Sequence, residues 1–79
     1  KAFYIITDKE DTIKEYILKV LNHGVTVFNA QGGYKKDNQT VLMCVLPTKD
    51  YYRLKAGINE IDSEAFVVVT DAYEVFGGE

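Results

Sequence analysis

One histidine and one cysteine carry the side chains of this sequence best suited to nucleophilic or metal chemistry, and they stand apart, at His23 and Cys44. A catalytic triad needs a nucleophile, a base and an orienting carboxylate within hydrogen-bond reach, and no Ser, Cys or acid lies at such a spacing from His23. Tetrahedral zinc takes three or four nitrogen or sulfur ligands, which one His and one Cys cannot supply within one copy. The expectation is therefore no catalytic residue, no metal and no cofactor: not an enzyme. His23 precedes Gly24 and reads as a helix end, where its positive form would meet the negative terminus of the helix. Cys44 lies in the apolar run Val41–Leu46 and reads as a small buried hydrophobe. A lone cysteine forms no internal disulfide, so no oxidising compartment is implied.

Acidic residues gather at Asp8, Glu10 and Asp11, and again at Glu60, Asp62 and Glu64. Each group flanks an expected helix end, where solvated capping accounts for it, and neither fits a calcium-binding loop. The stretch Gln31-Gly32-Gly33-Tyr34 offers more. Paired glycines let the backbone approach an anionic ligand and leave N–H groups free to bind it, while a tyrosine can stack on a ring or hydrogen-bond to it. The signature of a phosphate-binding P-loop is absent. As a hairpin connection, Gln31 to Asn38 is long, roughly eight residues where two to five are usual. From chemistry alone the stretch reads rather as a β-bulge followed by a surface loop.

These residues need a scaffold, and its outline follows from periodicity. Lys1–Thr7 is short, aromatic and β-branched, which predicts a strand. A helix follows, capped by Asp11 or Thr12, with Glu15 placed to complete a capping box with Thr12. Ile13, Ile17, Val20 and Leu21 form its apolar face, and Gly24 supplies a left-handed stop. Val25–Ala30 and Gln39–Pro47 are strands two and three, paired antiparallel across the glycine loop, with Pro47 ending the ladder. Thr48 or Asp50 caps a second helix with the stripe Tyr51, Leu54, Ile58 and Ile61, weakened by Gly57. Ala65–Val75 is the last strand. The order βαββαβ is that of the ferredoxin-like split βαβ fold, an α+β domain whose four-stranded antiparallel sheet carries both helices on one face.

The 79 residues suffice for one domain, spanning 1–79, with a small core that gains from association. Net charge is −3, and the nine basic residues are scattered, so the clustered positive charge that nucleic-acid binding requires is missing. No run of apolar residues is long enough to cross a bilayer. The chain opens on Lys1 with a strand at once, as expected for a domain cut from a longer polypeptide. Val41–Leu46 and Phe66–Val69 are apolar at consecutive positions, whereas a half-solvated strand alternates. Two helices cover one face of the sheet, so the other is expected to pack against something, most simply a second copy of the chain.

Gly24-Val25-Thr26, Gly32-Gly33-Tyr34, Val41–Val45, Leu54-Lys55, Ile61–Phe66 and Glu74-Val75-Phe76-Gly77 together resemble the cytoplasmic C-terminal domain of unknown function in YitT-type bacterial membrane proteins. The resemblance runs along nearly the whole chain, in order and spacing. It departs at the end, where the family usually has glycine–acidic–glycine–Phe and this chain has Gly77-Gly78-Glu79. It implies a ferredoxin-like fold related to PII-type signalling domains, which bind small ligands between subunits. It also implies a parent with membrane-spanning helices before Lys1 and a location on the cytoplasmic face of the membrane. On that basis a ligand site is expected at Thr26, Gly32, Gly33 and Tyr34, with Glu74 and Gly77 completing it. Two functions follow: a regulatory domain that senses a small metabolite or nucleotide, or a structural module that only joins subunits.

Overall fold

The computed structural model describes residues 1–31 and 38–72. Four strands, Ala2–Ile6 (β1), Thr26–Gln31 (β2), Asn38–Val45 (β3) and Phe66–Thr70 (β4), alternate with two helical segments in the order βαββαβ. The first segment is Glu10–Glu15 (α1), which runs on into a π-helical stretch, Tyr16–Val20. The second is Tyr51–Ile61 (α2), entered through a 3-10 turn at Thr48–Asp50. The sheet order is β2-β3-β1-β4 with every neighbouring pair antiparallel. Each helix therefore joins strands that have one other strand between them, β1 to β2 across β3 and β3 to β4 across β1. This is the ferredoxin-like arrangement, with both helices on one face.

The ladders fix which side chains meet the helices. Phe3 stands opposite Cys44 and Ile5 opposite Leu42, and all four are buried with Leu46 against Ile13, Ile17, Leu21, Leu54 and Ile58. Residues directly across a ladder share a face, and the next residues along point the other way. Burying each large side chain of this core contributes about 1.5–3 kcal/mol. Phe3 also stacks on Tyr51 with ring centroids 5.7 Å apart, which seats the start of α2 over β1. Cys44 sits in this core, and burial pushes its thiol up to about 11.

Several local expectations are corrected. The first helix starts at Glu10, so Asp11 and Thr12 lie inside it and the Thr12–Glu15 capping box does not form. In its place the Lys9 N–H donates to the Thr7 hydroxyl at 3.0 Å. Val20 is 53% exposed because the π-helical stretch turns it out of the apolar face, while Ile13, Ile17 and Leu21 keep their places. Asn22, at φ 60°, supplies the left-handed residue expected of Gly24; Asn tolerates that conformation because its short amide bonds locally. Asp50 precedes α2 without capping it through its side chain. The last strand ends at Thr70, short of the expected Val75 (residues 73–75 lie outside the described residues). Thr70 pairs with Ala2, where β1 begins, so the ladder has no partner strand beyond it.

Gly57 owes its place to packing. A Cβ there would drive into the ring of Tyr16, whose hydroxyl donates to the Arg53 carbonyl at 2.8 Å. The helices touch where one side chain is a ring and the other is absent.

Candidate functional site

The sheet face away from the helices is an apolar surface. Ala2, Tyr4 and Ile6 of β1 align with Val45, Met43 and Val41 of β3. On the other side of β1 the same residues align with Thr70, Val68 and Phe66 of β4. Thr26, Phe28 and Ala30 of β2 complete the surface opposite Met43, Val41 and Gln39. No charged side chain stands among the positions of this face from Ala2 to Ile6, Thr26 to Ala30, Val41 to Val45 or Phe66 to Thr70. Val41 and Ala2 are buried between their neighbours, but Tyr4, Val45 and Val68 are exposed and Phe66 is 62% exposed. The register thereby settles which alternate residues point outward: Val45 and Val68 do, Cys44 and Val67 do not.

Of the expected ligand residues, Thr26 is exposed at the start of β2 and points to this open face, paired with Met43. Gly32, Gly33, Tyr34, Glu74 and Gly77 lie outside the described residues. The ladder between β2 and β3 closes at Gln31 opposite Asn38, so the connection carrying the two glycines and Tyr34 is residues 32–37.

A second surface lies on the helix side. An open groove of about 730 Å³ runs between α2 and β4, with Phe3, Val67 and Val69 as its floor and Tyr51, Lys55 and Ile58 along its wall. It exists because α2 stands over β1 and leaves the outer strand partly uncovered: Val69 faces the helices yet is 38% exposed. Asp62 and Ser63 close one end. The Asp62 carboxylate accepts from the Thr7 hydroxyl and from the Glu64 N–H, and these bonds, Thr7 first, hold it below the usual carboxylate range.

The model of the family described as "Uncharacterized protein conserved in bacteria (DUF2179)" matches residues 23–77. This chain belongs to the DUF2179 family. The UPF0750 membrane protein YvjA of Bacillus subtilis (strain 168) is 43% identical over 77 residues, 98% of this chain and 27% of that protein. The UPF0750 membrane protein YitT of the same organism is 29% identical over 73 residues, covering 92% of this chain and 26% of that protein. The chain thus spans about a quarter of the length of these curated relatives. A crystal structure of a DUF2179 protein from Eubacterium ventriosum superposes with a TM-score of 0.77 at 32% identity, covering 87% of this chain and 94% of that one. The resemblance to the domain of YitT-type membrane proteins therefore holds. No helix among the described residues is long and apolar enough to cross a membrane.

Two features of this DUF2179 domain were not legible in the sequence. Asp50, buried, lies with Oδ2 2.9 Å from Nε2 of His23 and Oδ1 3.6 Å from the Arg53 guanidinium. Arg53 in turn donates to the Val20 carbonyl at 3.3 Å, so the end of the first helical segment is tied to the start of the second. His23 thus clamps Asp50 from the end of the first helical segment, and nothing in the spacing of His23 and Asp50 pointed to that contact. The groove was equally hidden, because Lys55, Val67 and Val69 come together only once α2 is laid across the sheet. Among the described residues no three His, Cys, Asp or Glu side chains gather in a way that would hold a metal ion.

Proposed function

We propose that this domain is a regulatory module of a bacterial membrane protein, carried on the cytoplasmic side. Copies associate through the open sheet face and sense a small metabolite or nucleotide at the boundary between them. The observation that carries this reading is the uncovered apolar face centred on Tyr4, Met43 and Val68. Contiguous apolar surface of this kind marks interaction sites on soluble domains. Thr26 lies on the same face, so association through it brings an expected ligand residue to a boundary between subunits, where PII-type domains, to which the resemblance would relate this fold, hold their ligands. The glycine-rich connection would supply N–H groups for an anionic ligand.

Association is read by sedimentation across a range of concentrations. Stable interfaces bury about 800 Å² per partner, and part of the gain is offset by lost rotational and translational freedom, so a concentration-dependent oligomer is expected. Val68→Lys or Val45→Lys should disperse it. A constant mass near 8.9 kDa at every concentration would sink the proposal. Sensing is read by a thermal-shift panel of nucleotides and metabolites, in which a ligand raises Tm by binding the folded state. A flat panel with an intact oligomer favours the second reading, a structural module that joins subunits and needs the sheet face alone.

A further inference from the structure

β4 is the outermost strand on its side of the sheet, and among the described residues it pairs along its inner side with β1 only. Among the described residues its outer side therefore presents a row of backbone donors and acceptors, a template for another strand. Proteins usually protect such an edge with charge, proline or a bulge. β4, with the sequence FVVVT, has none of these, and its register with β1 is unbroken from Phe66 to Thr70. The groove between β4 and α2 runs beside this edge, from Ala65 and Asp62 at one end to Val69 and Tyr51 at the other. A free strand edge alongside an apolar trench under a helix is the geometry that receives an extended peptide. The backbone ladder then gives affinity, and alternate side chains fill the trench.

One charge narrows the partner. Lys55 stands on the α2 wall with its Nζ 6.0 Å from the Tyr51 ring centroid, and it makes no ion pair among the described residues. The acid at the end of the groove, Asp62, is already held by Thr7 and by the Glu64 N–H. We propose that the β4 edge and the α2–β4 groove together bind an extended polypeptide segment. That segment has apolar side chains at alternate positions and a carboxylate in reach of Lys55. A second copy of β4 fits less well. Its groove-side residues are the same short valines, and the acid that follows it, Asp71, is engaged by Lys1 at 2.7 Å. The groove lies on the helix side of the sheet, and the open face on the other.

The test is fluorescence anisotropy with labelled heptapeptides carrying Leu, Ile or Phe at alternate positions and one central Glu. Matched peptides carry Lys at the centre, or N-methyl groups along the edge-pairing side. The Glu peptides should bind, and Lys55→Glu, the central Lys or N-methylation should each weaken binding at least fivefold. Lys19→Glu, the same charge reversal at an exposed residue outside the groove, should leave binding unchanged. Hydrogen exchange should slow in β4 when peptide is added. The proposal is overturned if no Glu peptide binds, if N-methylation has no effect, or if the β4 edge is instead taken up by a second copy.

Discussion

Gly57 and Tyr16 show how a single missing atom can set a helix crossing. In an exposed helix, Gly→Ala stabilises by about 1 kcal/mol through propensity alone. Here the added carbon meets a ring pinned through its hydroxyl to Arg53, and overpacking of that kind costs about 1–3 kcal/mol. Net of the propensity gain, Gly57→Ala should cost up to about 2 kcal/mol and lower Tm by several degrees. Tyr16→Ala in the same chain should recover part of the loss, a non-additivity that a double-mutant cycle measures. Cys44 makes a second prediction of this size. Its folded pKa is raised to about 11 from an ordinary value of 9.0, so the unfolded chain ionises first. The stability it contributes is complete below about pH 9 and declines between about pH 9 and 11. The two linked units set an upper bound of about 3 kcal/mol. Denaturant titrations of the parent and of Cys44→Ala should diverge in slope over that window, and parallel curves would exclude the effect.

Between elements, the connections are polar and few. Buried Asp50 joins the two helical segments through the partly buried His23 and the exposed Arg53, and truncating it removes the hydrogen bond to His23, at a cost of about 1 kcal/mol. Asp50→Ala should lower Tm clearly, whereas Asp11→Ala, which removes an exposed contact to Lys14 at 3.7 Å, should leave it nearly unchanged. Asp62 links the loop after β1 to the turn after α2. Because its folded pKa is depressed, its contribution is present above the ordinary carboxylate value and fades as pH falls through the folded one. Thr7→Val should flatten that part of the acid-denaturation curve. The elements themselves were legible because Ile13, Ile17, Leu54 and Ile58 repeat at helical spacing and the strands are β-branched. Their ends were not, since caps depend on which polar side chain finds a partner first. Thr7 turned to Lys9 and Asp62, and Asp50 to His23, and each of these choices is made by tertiary structure. The open face was legible in type, as an apolar surface, whereas the glycine-rich connection lies outside the described residues. The composition of the face waited on register, which a one-residue shift would invert.

As a whole molecule, the domain balances a small core against two uncovered apolar surfaces. If assembly through the open face contributes to stability, folding and association are linked, and Tm should rise with protein concentration. Val68→Lys should remove that dependence without altering the core, since Val68 and the buried Ile5 point to opposite faces. A Tm independent of concentration in both proteins would separate stability from assembly.

The position of β1 also governs the order in which this structure can form. It is the first strand made, yet it lies inside the sheet, with partners that begin at Asn38 and Phe66. Ala2 waits for Thr70, so the ladder that completes the sheet closes nearly the entire described chain into one loop. Contacts of such separation are reached slowly, because loop entropy is lost before they form. During synthesis the strand stays unpaired with Phe3 and Ile5 unshielded, the condition in which chains meet chaperones or each other. A ribosome-stalled chain ending at Ile61 should accordingly remain sensitive to protease along β1, and gain protection only after Thr70 has cleared the exit tunnel.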